Sequence, residues 1–519
     1  MLVTELAERL EPSPVLGLLS LYDTENNAVR LLAAILRQRG YRVVEIYFKD
    51  WINNYFDPPA TRELELLAEV LETERVNLLG LSLRSSPYFK VAGELTRFVR
   101  GRVGIPVIWG GLHPTLEPEK CIVEADAVCR GEAERALPEF IDRLSSHGDF
   151  LATSNFWFRT PQGVVRNEIG PLLEDLDSLP FRDYTHKDKF WIHRSRLRRG
   201  DPMASDPVYQ IFTTRGCPFS CSFCYNSTLK KDLFLGKGRY YRQRSVRSVI
   251  EELHYARRVF RNLKRFRFDD EVFPFDKEWV AEFAERYRTE VGMPFECFLE
   301  PTIVDEEIVR RLRSAGLEVV YMGIQNNPRV SRQLYDRDVR EDDILGAARL
   351  FHSLGIDARY QVILDDPLST TEDKEWLFRL LLSLPRPIEV YLFSMTVYPR
   401  TELARKLMAE GLMTERDIEG EAQKTFRQYR VDLSYPRPAE DRFWAALIVL
   451  VSKSFIPKGL LFWLSRRLWL RRHPLPLVAF AQVANVAKMG WVAARMVSRG
   501  EMTTTLIRRW LHLRSLITQ

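Results

Sequence analysis

Short apolar runs alternate with segments of helical period twice along this chain, and that alternation constrains the fold more than any other feature. Over residues 12–145 the runs "PVLGLLSL", "YRVVEIYF", "VNLLGLSL", "IPVIWGG" and "ADAVCRG" read as five strands. The segments "NNAVRLLAAILRQRG", "RELELLAEVLETE", "FKVAGELTRFVRG" and "RALPEFIDRL" read as the helices among them, with Gly40 where the first would stop. Parallel neighbours need a crossover long enough to hold a helix, so the series predicts a doubly wound parallel sheet. Ligands bind such sheets at the carboxyl ends of the strands. The residues there are Ser82–Ser86, then Gly110, Gly111, Leu112 and His113, then Arg130, Gly131 and Glu132. The paired glycines would let the backbone come close to a bulky ligand.

The second series begins at "VYQIFTT" and continues through "RFRFDD", "PFECFLEP", "EVVYMGIQ", "DARYQVILDD" and "EVYLFSMT", with helical segments such as "SVRSVIEELHYARRVF" between them. Six strand–helix units are too few for a closed eight-fold barrel, so a partial, open barrel is expected, working at the carboxyl ends of its strands. Between the two series, "FWFRTPQGVVRN" reads as a hairpin and "LLEDLDSLPFRDY" as a loop crossing between domains. After residue ~435 strand alternation stops and apolar-aromatic, basic helical runs take over. The expected division is residues 1–148, a linker with a hairpin at 149–205, the partial barrel at 206–430, and a basic, apolar helical region at 431–519.

The chain has six cysteines, too few and too scattered for a disulfide framework. Three of them, Cys217, Cys221 and Cys224, share the stretch "TTRGCPFSCSFCYN", in the loop after the first strand of the second series. A structural zinc site wants four protein ligands, so a fourth would have to come from Cys121, Cys129, Cys297 or a histidine. A 4Fe–4S cluster also takes four ligands. With three cysteines one iron stays open to bind something else, which gives the number three a reason.

C-x3-C-x2-C after a first strand, with Phe223 before the last cysteine, resembles the radical S-adenosylmethionine (radical SAM) superfamily. The resemblance implies that the open iron chelates SAM, whose reductive cleavage gives a 5′-deoxyadenosyl radical. "FDDEVF" is similar to the family's acidic motif for the SAM ammonium, which makes Asp269, Asp270 and Glu271 candidates, with Phe223 and Glu300 as further SAM contacts. Asp276 reads instead as a helix cap before "DKEWV". "MGIQN" resembles the "GIE" segment of relatives, with Gln325 where Glu is usual. "LDDPLSTTED" resembles a "GxPGET" turn, with Asp365 and Ser369 in place of glycines. "WGGLHPTLEPEK" and "ADAVCRGEAERALPEF" look like the cobalamin-binding domain fused to one large radical SAM class. That implies cobalamin at Ser82, Gly110, Gly111, His113, Arg130, Gly131 and Glu132. His113 is followed by Pro-Thr-Leu, so the D-x-H-x-x-G motif is absent and the cobalt is expected to lack that histidine ligand.

The net charge of +6 is unevenly spread. Residues from Pro436 to Gln519 carry fourteen Lys/Arg and three Asp/Glu, a balance of +11, so the rest of the chain carries −5. A basic tail suits an anionic membrane surface or a nucleic acid. The runs "ALIVLV" and "LLFWL", with Trp463, Trp469, Trp491 and Trp510 among arginines, favour the membrane. Charges such as Lys488 interrupt the apolar runs, so an interfacial helix is expected over a spanning one. The opening "MLVTELAERLEPSP" has no basic segment followed by an apolar run, so a cytoplasmic protein is expected, peripheral at the inner face of the membrane.

The leading reading is an enzyme that methylates an unactivated carbon of a hydrophobic substrate: a lipid, hopanoid-like or tetrapyrrole molecule. It would use SAM, a 4Fe–4S cluster and cobalamin, with electrons from a flavodoxin- or ferredoxin-type donor. Oxidative cyclisation or rearrangement with the same cofactors stays open, since both need the same motifs. A zinc-stabilised nucleic-acid-binding protein would leave both strand–helix series unexplained. A tRNA methylthiotransferase would need a further cysteine cluster upstream, for which Cys121 and Cys129 are too few.

Overall fold

The structure, a computed structural model, describes residues 14–50, 57–366, 368–424, 433 and 437–498. Most of the opening stretch, Pro367 of the fifth-strand turn and Trp510 lie outside the described residues.

The first series builds strands β1 (Val15–Leu21), β2 (Arg42–Phe48), β3 (Leu78–Ser82), β4 (Val107–Gly110) and β5 (Ala127–Cys129). Helices α1 (Asn27–Gln38), α2 (Thr61–Thr73), α3 (Phe89–Arg102), α4 (Leu112–Leu116), α5 (Pro118–Glu124) and α6 (Ala133–Ser145) connect and follow them. β1 lies between β2 and β3, parallel to both, with Leu19 paired to Ile46 on one side and Leu81 on the other. The order β5-β4-β3-β1-β2 is the doubly wound one, with its switch point between β1 and β3. Both faces are covered, which is why these strands are nearly continuous apolar runs. Leu19, Val44 and Leu81 join the core on one face, and Leu16, Val43 and Leu78 that on the other.

Residues 149–205 do more than link. The expected hairpin, β6 (Phe156–Thr160) and β7 (Gly163–Arg166), pairs antiparallel with β5. β8 (Lys189–His193) adds parallel to β2, and β9 (Arg196–Arg199) turns back along it. The segment therefore completes both edges of a nine-stranded sheet. Burial of its charges depends on pairing: Arg30 reaches Asp201 at 2.8 and 3.1 Å, and Lys189 meets the same carboxylate at 2.9 Å.

The second series gives six strands ordered as they occur in the chain: β10 (Val208–Ile211), β13 (Arg265–Phe268), β14 (Phe295–Leu299), β15 (Leu317–Gln325), β16 (Asp357–Ile363) and β17 (Glu389–Phe393). β11 (Thr214–Arg215) and β12 (Arg242–Gln243) form a separate two-stranded ribbon. The intervening helices α7 (Val246–Val259), α8 (Lys277–Arg286), α9 (Glu306–Ala315), α10 (Glu341–Ser353) and α11 (Thr371–Ser383) mostly start at short polar side chains. Ser245, Asp276, Asp305 and Thr370 each accept from a backbone N–H of the first turn, as N-caps do. Beyond β17 come α12 (Glu402–Ala409), α13 (Glu415–Ala422), α14 (Ala439–Val451), α15 (Lys458–Ser465), α16 (Leu468–Arg472) and α17 (Leu475–Ser498).

The chain divides into two compact units. One holds residues 1–52, 56–295 and 397–423, and therefore both the first sheet and the cysteine loop. The other holds residues 53–55, 296–396 and 424–519. In the second unit α14, which carries "ALIVLV", is buried nearly all round, from Phe443 to Val451. That run is core and not a lipid-facing segment, as an all-apolar helix inside a folded unit should be.

Candidate active site

The β11–β12 ribbon closes the base of the cysteine loop, pairing Thr214 with Gln243 and Arg215 with Arg242. Gly216 precedes the first cysteine at φ +78°, where a Cβ would lie 2.3 Å from the Tyr240 carbonyl oxygen. Only glycine fits there. Cys217, Cys221 and Cys224 are half-exposed, whereas Cys121, Cys129 and Cys297 are buried, so no fourth thiol joins them at the surface. The loop turns through Cys224 N to Cys221 O at 3.0 Å, and Lys230 Nζ braces it on Pro218 O at 2.8 Å and Ser220 Oγ at 3.2 Å. Phe223 is half-buried beside Ser222, whose carbonyl accepts from Leu403 N at 2.9 Å. Burial pushes the Cys217 thiol up to about 11 and Cys224 to about 12, so each ionises only beside a cation. Among the described residues no three His, Cys, Asp or Glu side chains converge tightly enough for a single metal ion. An iron–sulfur cluster makes a different demand: it takes one thiolate on each of three irons, spread over a wider loop.

The three acidic candidates after β13 separate clearly. Asp270 is buried, and it accepts from Thr213 N (2.8 Å), Thr213 Oγ1 (2.9 Å), Thr214 N (2.6 Å) and Thr214 Oγ1 (2.7 Å). Three of the four bonds fall on Oδ1 and one on Oδ2, and all go to the start of the cysteine loop, so Asp270 braces that loop. Burial still pushes its carboxyl up to about 6. Asp269 meets Arg267 Nε at 2.9 Å and accepts from Gln210. Glu271 alone is open to solvent, yet burial raises its carboxyl, with the Asn226 side chain and Arg84 acting the other way. Its field reaches Cys217, Cys224, Tyr225 and Tyr240. Asp276 caps α8 as expected.

The carboxyl ends of β3, β4 and β5 hold the residues expected around cobalamin. Ser82 Oγ accepts from Asn26 Nδ2 at 3.0 Å. A Cβ on Gly110 would meet only Cys129, at 3.9 Å, so the fold itself leaves room there. Gly111 differs: at φ +112° its Cβ would lie 2.7 Å from the Leu83 carbonyl oxygen. Its glycine is required by the backbone beside it, whatever binds nearby. His113 is buried with Nδ1 2.9 Å from Ser86 Oγ and its ring against Phe89. Burial and Lys120 lower it to about 4, so it is neutral at pH 7. Among the described residues its buried Nε2 has no hydrogen-bond partner, and it is a nitrogen that a polar group of a ligand would satisfy. Arg130 stacks over Trp157 at 4.9 Å. Gly131 lies where a Cβ would come within 3.0 Å of Phe234.

Glu132 has a different role from the one expected. Its carboxylate takes Arg242 at 2.7 and 3.0 Å, Arg215 at 3.3 Å and Leu173 N at 3.0 Å, and Arg215 also pairs with Glu134. Burial would raise Glu132, but Arg242 and Arg215 hold it below the usual range. It ties the end of β5 to both strands of the ribbon under the cysteines. The sequence offered no sign of this, because the partners are 83 and 110 residues away. Arg84 was likewise readable only as part of a strand end. Its guanidinium stands 3.5 Å from Asp23, and its field reaches Tyr225 and Asp269.

In the second unit, Glu300 is bound by Arg337 at 3.0 Å and Thr302 N at 2.7 Å. Arg337 also donates to Gly323 O at 2.6 Å and Ile324 O at 3.1 Å, across a bulge where Gln325 sits at φ +67°. Glu300 thus holds the Gln325 bulge, and Arg337 is a residue that sequence reasoning missed. Asp365 accepts from Met395 N at 2.9 Å, Ser394 Oγ at 2.7 Å and Arg437. Ser369 Oγ accepts from Asn326 at 2.9 Å. The two residues standing for glycines are therefore part of a hydrogen-bonded turn.

A doubly wound sheet whose strand ends are ion-paired to a three-cysteine loop, inside one compact unit, defines a class: proteins that set a large ligand beside a cluster-bearing loop. Residues 14–141 match the family model for the B12 binding domain, and residues 211–379 that for the radical SAM superfamily. The chain belongs to the cobalamin-dependent radical SAM proteins. An uncharacterised methyltransferase of Pyrococcus horikoshii is 27% identical over 357 residues, 67% of this chain and 72% of the relative. The bacteriochlorophyllide d C-8(2)-methyltransferase of Chlorobaculum tepidum is 23% identical over 360 residues, 67% of this chain and 71% of the relative. Among solved structures, the radical SAM methyltransferase TsrM of Kitasatospora setae, with cobalamin and a 4Fe–4S cluster bound, superposes with a TM-score of 0.61. It is 16% identical and covers 91% of this chain and 100% of that one, a likeness of fold.

Proposed function

We propose that the protein methylates an unactivated carbon of a hydrophobic substrate, as a cobalamin-dependent radical SAM enzyme. The observation that carries this reading is the tie of Glu132 and Glu134 to Arg215 and Arg242, which sets the cobalamin-type sheet edge against the cysteine loop. When bound, the cluster with SAM supplies a radical that takes hydrogen from carbon, and cobalamin carries the methyl group. This chain's residues do the rest. Cys217, Cys221 and Cys224 hold three irons. Glu271 receives the SAM ammonium, because it alone of the three acids is exposed and its field reaches Cys217 and Cys224. Within the second unit, Glu300 and Arg337 hold the bulge that presents Gln325, a neutral polar side chain. Gly110 lets the corrin approach the sheet edge, and His113 Nε2 meets a polar group on it. Neutral at pH 7, His113 gives up no proton there. Electrons come from an external flavodoxin- or ferredoxin-type donor, and the protein sits in the cytoplasm with a peripheral membrane contact.

The hydrophobic substrate is supported by the tetrapyrrole named for the Chlorobaculum relative and by the exposed apolar surface of the C-terminal helices. The test is mass spectrometry of lipids and tetrapyrroles from cells with and without the protein, fed methyl-deuterated methionine. A product gaining one deuterated methyl group is expected. A product that gains a ring or loses hydrogen without added carbon would establish the cyclisation reading in its place.

A further inference from the structure

We propose that α15, α16 and α17 form a docking face for an anionic phospholipid leaflet, and that α17 lies along the leaflet without crossing it. This extends the peripheral contact named above and does not depend on the reaction. Sixteen large apolar side chains are exposed among the described residues, and twelve of them fall between Phe455 and Val497. Leu468 is 70% exposed, Trp469 61% and Trp491 62%. So much apolar surface on one short stretch marks an interaction site.

By length and composition alone α17 qualifies as a span over Leu475–Arg495. Its packing argues otherwise. Leu477, Val478, Ala481 and Ala484 form a buried stripe, and α17 packs on α14. Further along the same stripe, Lys488 is ion-paired with Glu389 of β17. Pulling α17 into a bilayer would strip that stripe and leave an unpaired lysine in hydrocarbon. Up to Lys488 the opposite side, with Val483 and Val486, is exposed to meet lipid, and beyond it Trp491 and Val492 are exposed as well.

The charges select the occupant. From Arg442 to Gly500 the sequence holds ten Lys/Arg and no Asp or Glu. Arg467 lies over the Trp463 ring at 3.9 Å, Arg466 over Phe462 at 4.4 Å and Arg495 over Trp491 at 5.4 Å. Aromatic rings with guanidinium groups beside them suit the level of lipid head groups. A second copy of this chain would bring the same cations face to face, and the acids beside them, Glu440 and Glu389, already pair with Arg471 and Lys488. A nucleic acid would satisfy the arginines but leave Leu468 and Val483 in water.

The test uses the full-length protein with vesicles of phosphatidylcholine alone or mixed with phosphatidylglycerol. Flotation with the anionic vesicles should exceed that with neutral ones by about tenfold at low salt and fall at high salt. Trp469→Ser and Leu468→Asp should each reduce flotation about tenfold, with unchanged melting temperature and SAM cleavage, because both side chains are exposed. Alkaline carbonate should release the bound protein. Carbonate-resistant protein would overturn the in-plane placement. No flotation, or a concentration-dependent dimer lost in Leu468→Asp, would overturn the docking face. SAM cleavage, followed in the same samples with a chemical reductant, reports the proposed reaction separately.

Discussion

Single residues decide which parts of the motifs can touch a ligand. The cysteine spacing is local and could be read directly, but three consecutive acids could not be told apart in the sequence. The turn after β13 sorts them: Asp270 is spent on Thr213 and Thr214, while Glu271 faces the cysteines. Glu271→Gln should weaken SAM binding by about tenfold or more, the worth of a charge-assisted hydrogen bond, with iron content unchanged. Isothermal titration with SAM on reconstituted protein measures it, and unaltered affinity would remove Glu271 from the site. Asp270→Ala should instead destabilise the fold by about 3 kcal/mol, because it leaves two buried N–H groups unpaired. The two glycines part in the same way. Gly111→Ala should lower the melting temperature of the cobalamin-free protein, since its Cβ meets the Leu83 oxygen at 2.7 Å and its φ is +112°. Gly110→Ala should leave that melting within about 0.5 kcal/mol yet cut cobalamin affinity, read from the absorbance of bound corrin. Equal cobalamin binding in Gly110→Ala and wild type would show that the corrin stays away from that edge.

At the scale of elements, the five-strand and six-strand series were legible because periodicity is a local property. The segment between them was only half legible. "FWFRTPQGVVRN" reads as a hairpin, but nothing local says that β6 to β9 close both edges of the first sheet. Long-range pairs decide it. Arg182, in "SLPFRDY", is buried with its guanidinium 2.8 Å from Glu252 of α7 and 5.0 Å from the Tyr209 ring of β10. Burial acts to raise the Glu252 carboxyl, but Arg244 and Arg182 overcome it and hold it down at about 2, against an ordinary 4.5. A carboxyl lowered by folding contributes stability that is complete above pH 4.5 and is lost as pH falls toward 2. The contribution is about 3 kcal/mol at neutral pH. Urea melts between pH 5 and pH 3 should show that loss, and Glu252→Gln should start lower and lose less over the same interval. A variant as acid-sensitive as wild type would put the titration elsewhere. The tail misled in the opposite direction. "ALIVLV" has the composition of a membrane segment, yet with no polar face it belongs inside, where α14 in fact lies.

At the scale of the molecule, what matters for the proposed chemistry is how firmly the sheet edge is held to the cysteine loop within the first unit. Two kinds of link do this. The return segment of α12 and α13 makes exposed pairs: Arg400 with Glu119 at 2.8 Å, Lys120 with Glu419 at 2.5 Å, and Lys231 with Glu402 at 3.0 Å. Each such pair is worth about 0–1 kcal/mol and is screened by salt. The other link is Glu132 with Arg242, whose guanidinium is buried. Removing one partner of a buried pair costs about 3–5 kcal/mol, because the remaining charge has lost its solvation. The buried link should therefore dominate. Melts of the full-length protein in 0.1 and about 1 M salt should differ by no more than about 1 kcal/mol, whereas Glu132→Ala should cost about 3 or more. Glu132→Ala should also loosen the loop, raising amide exchange at Cys224 and Ser227, whose N–H groups hold its internal turns. Lys231→Ala, on the exposed side, should leave that exchange unchanged. A loop that opens equally in both variants, or a salt effect as large as the Glu132 substitution, would mean that the surface pairs carry the alignment.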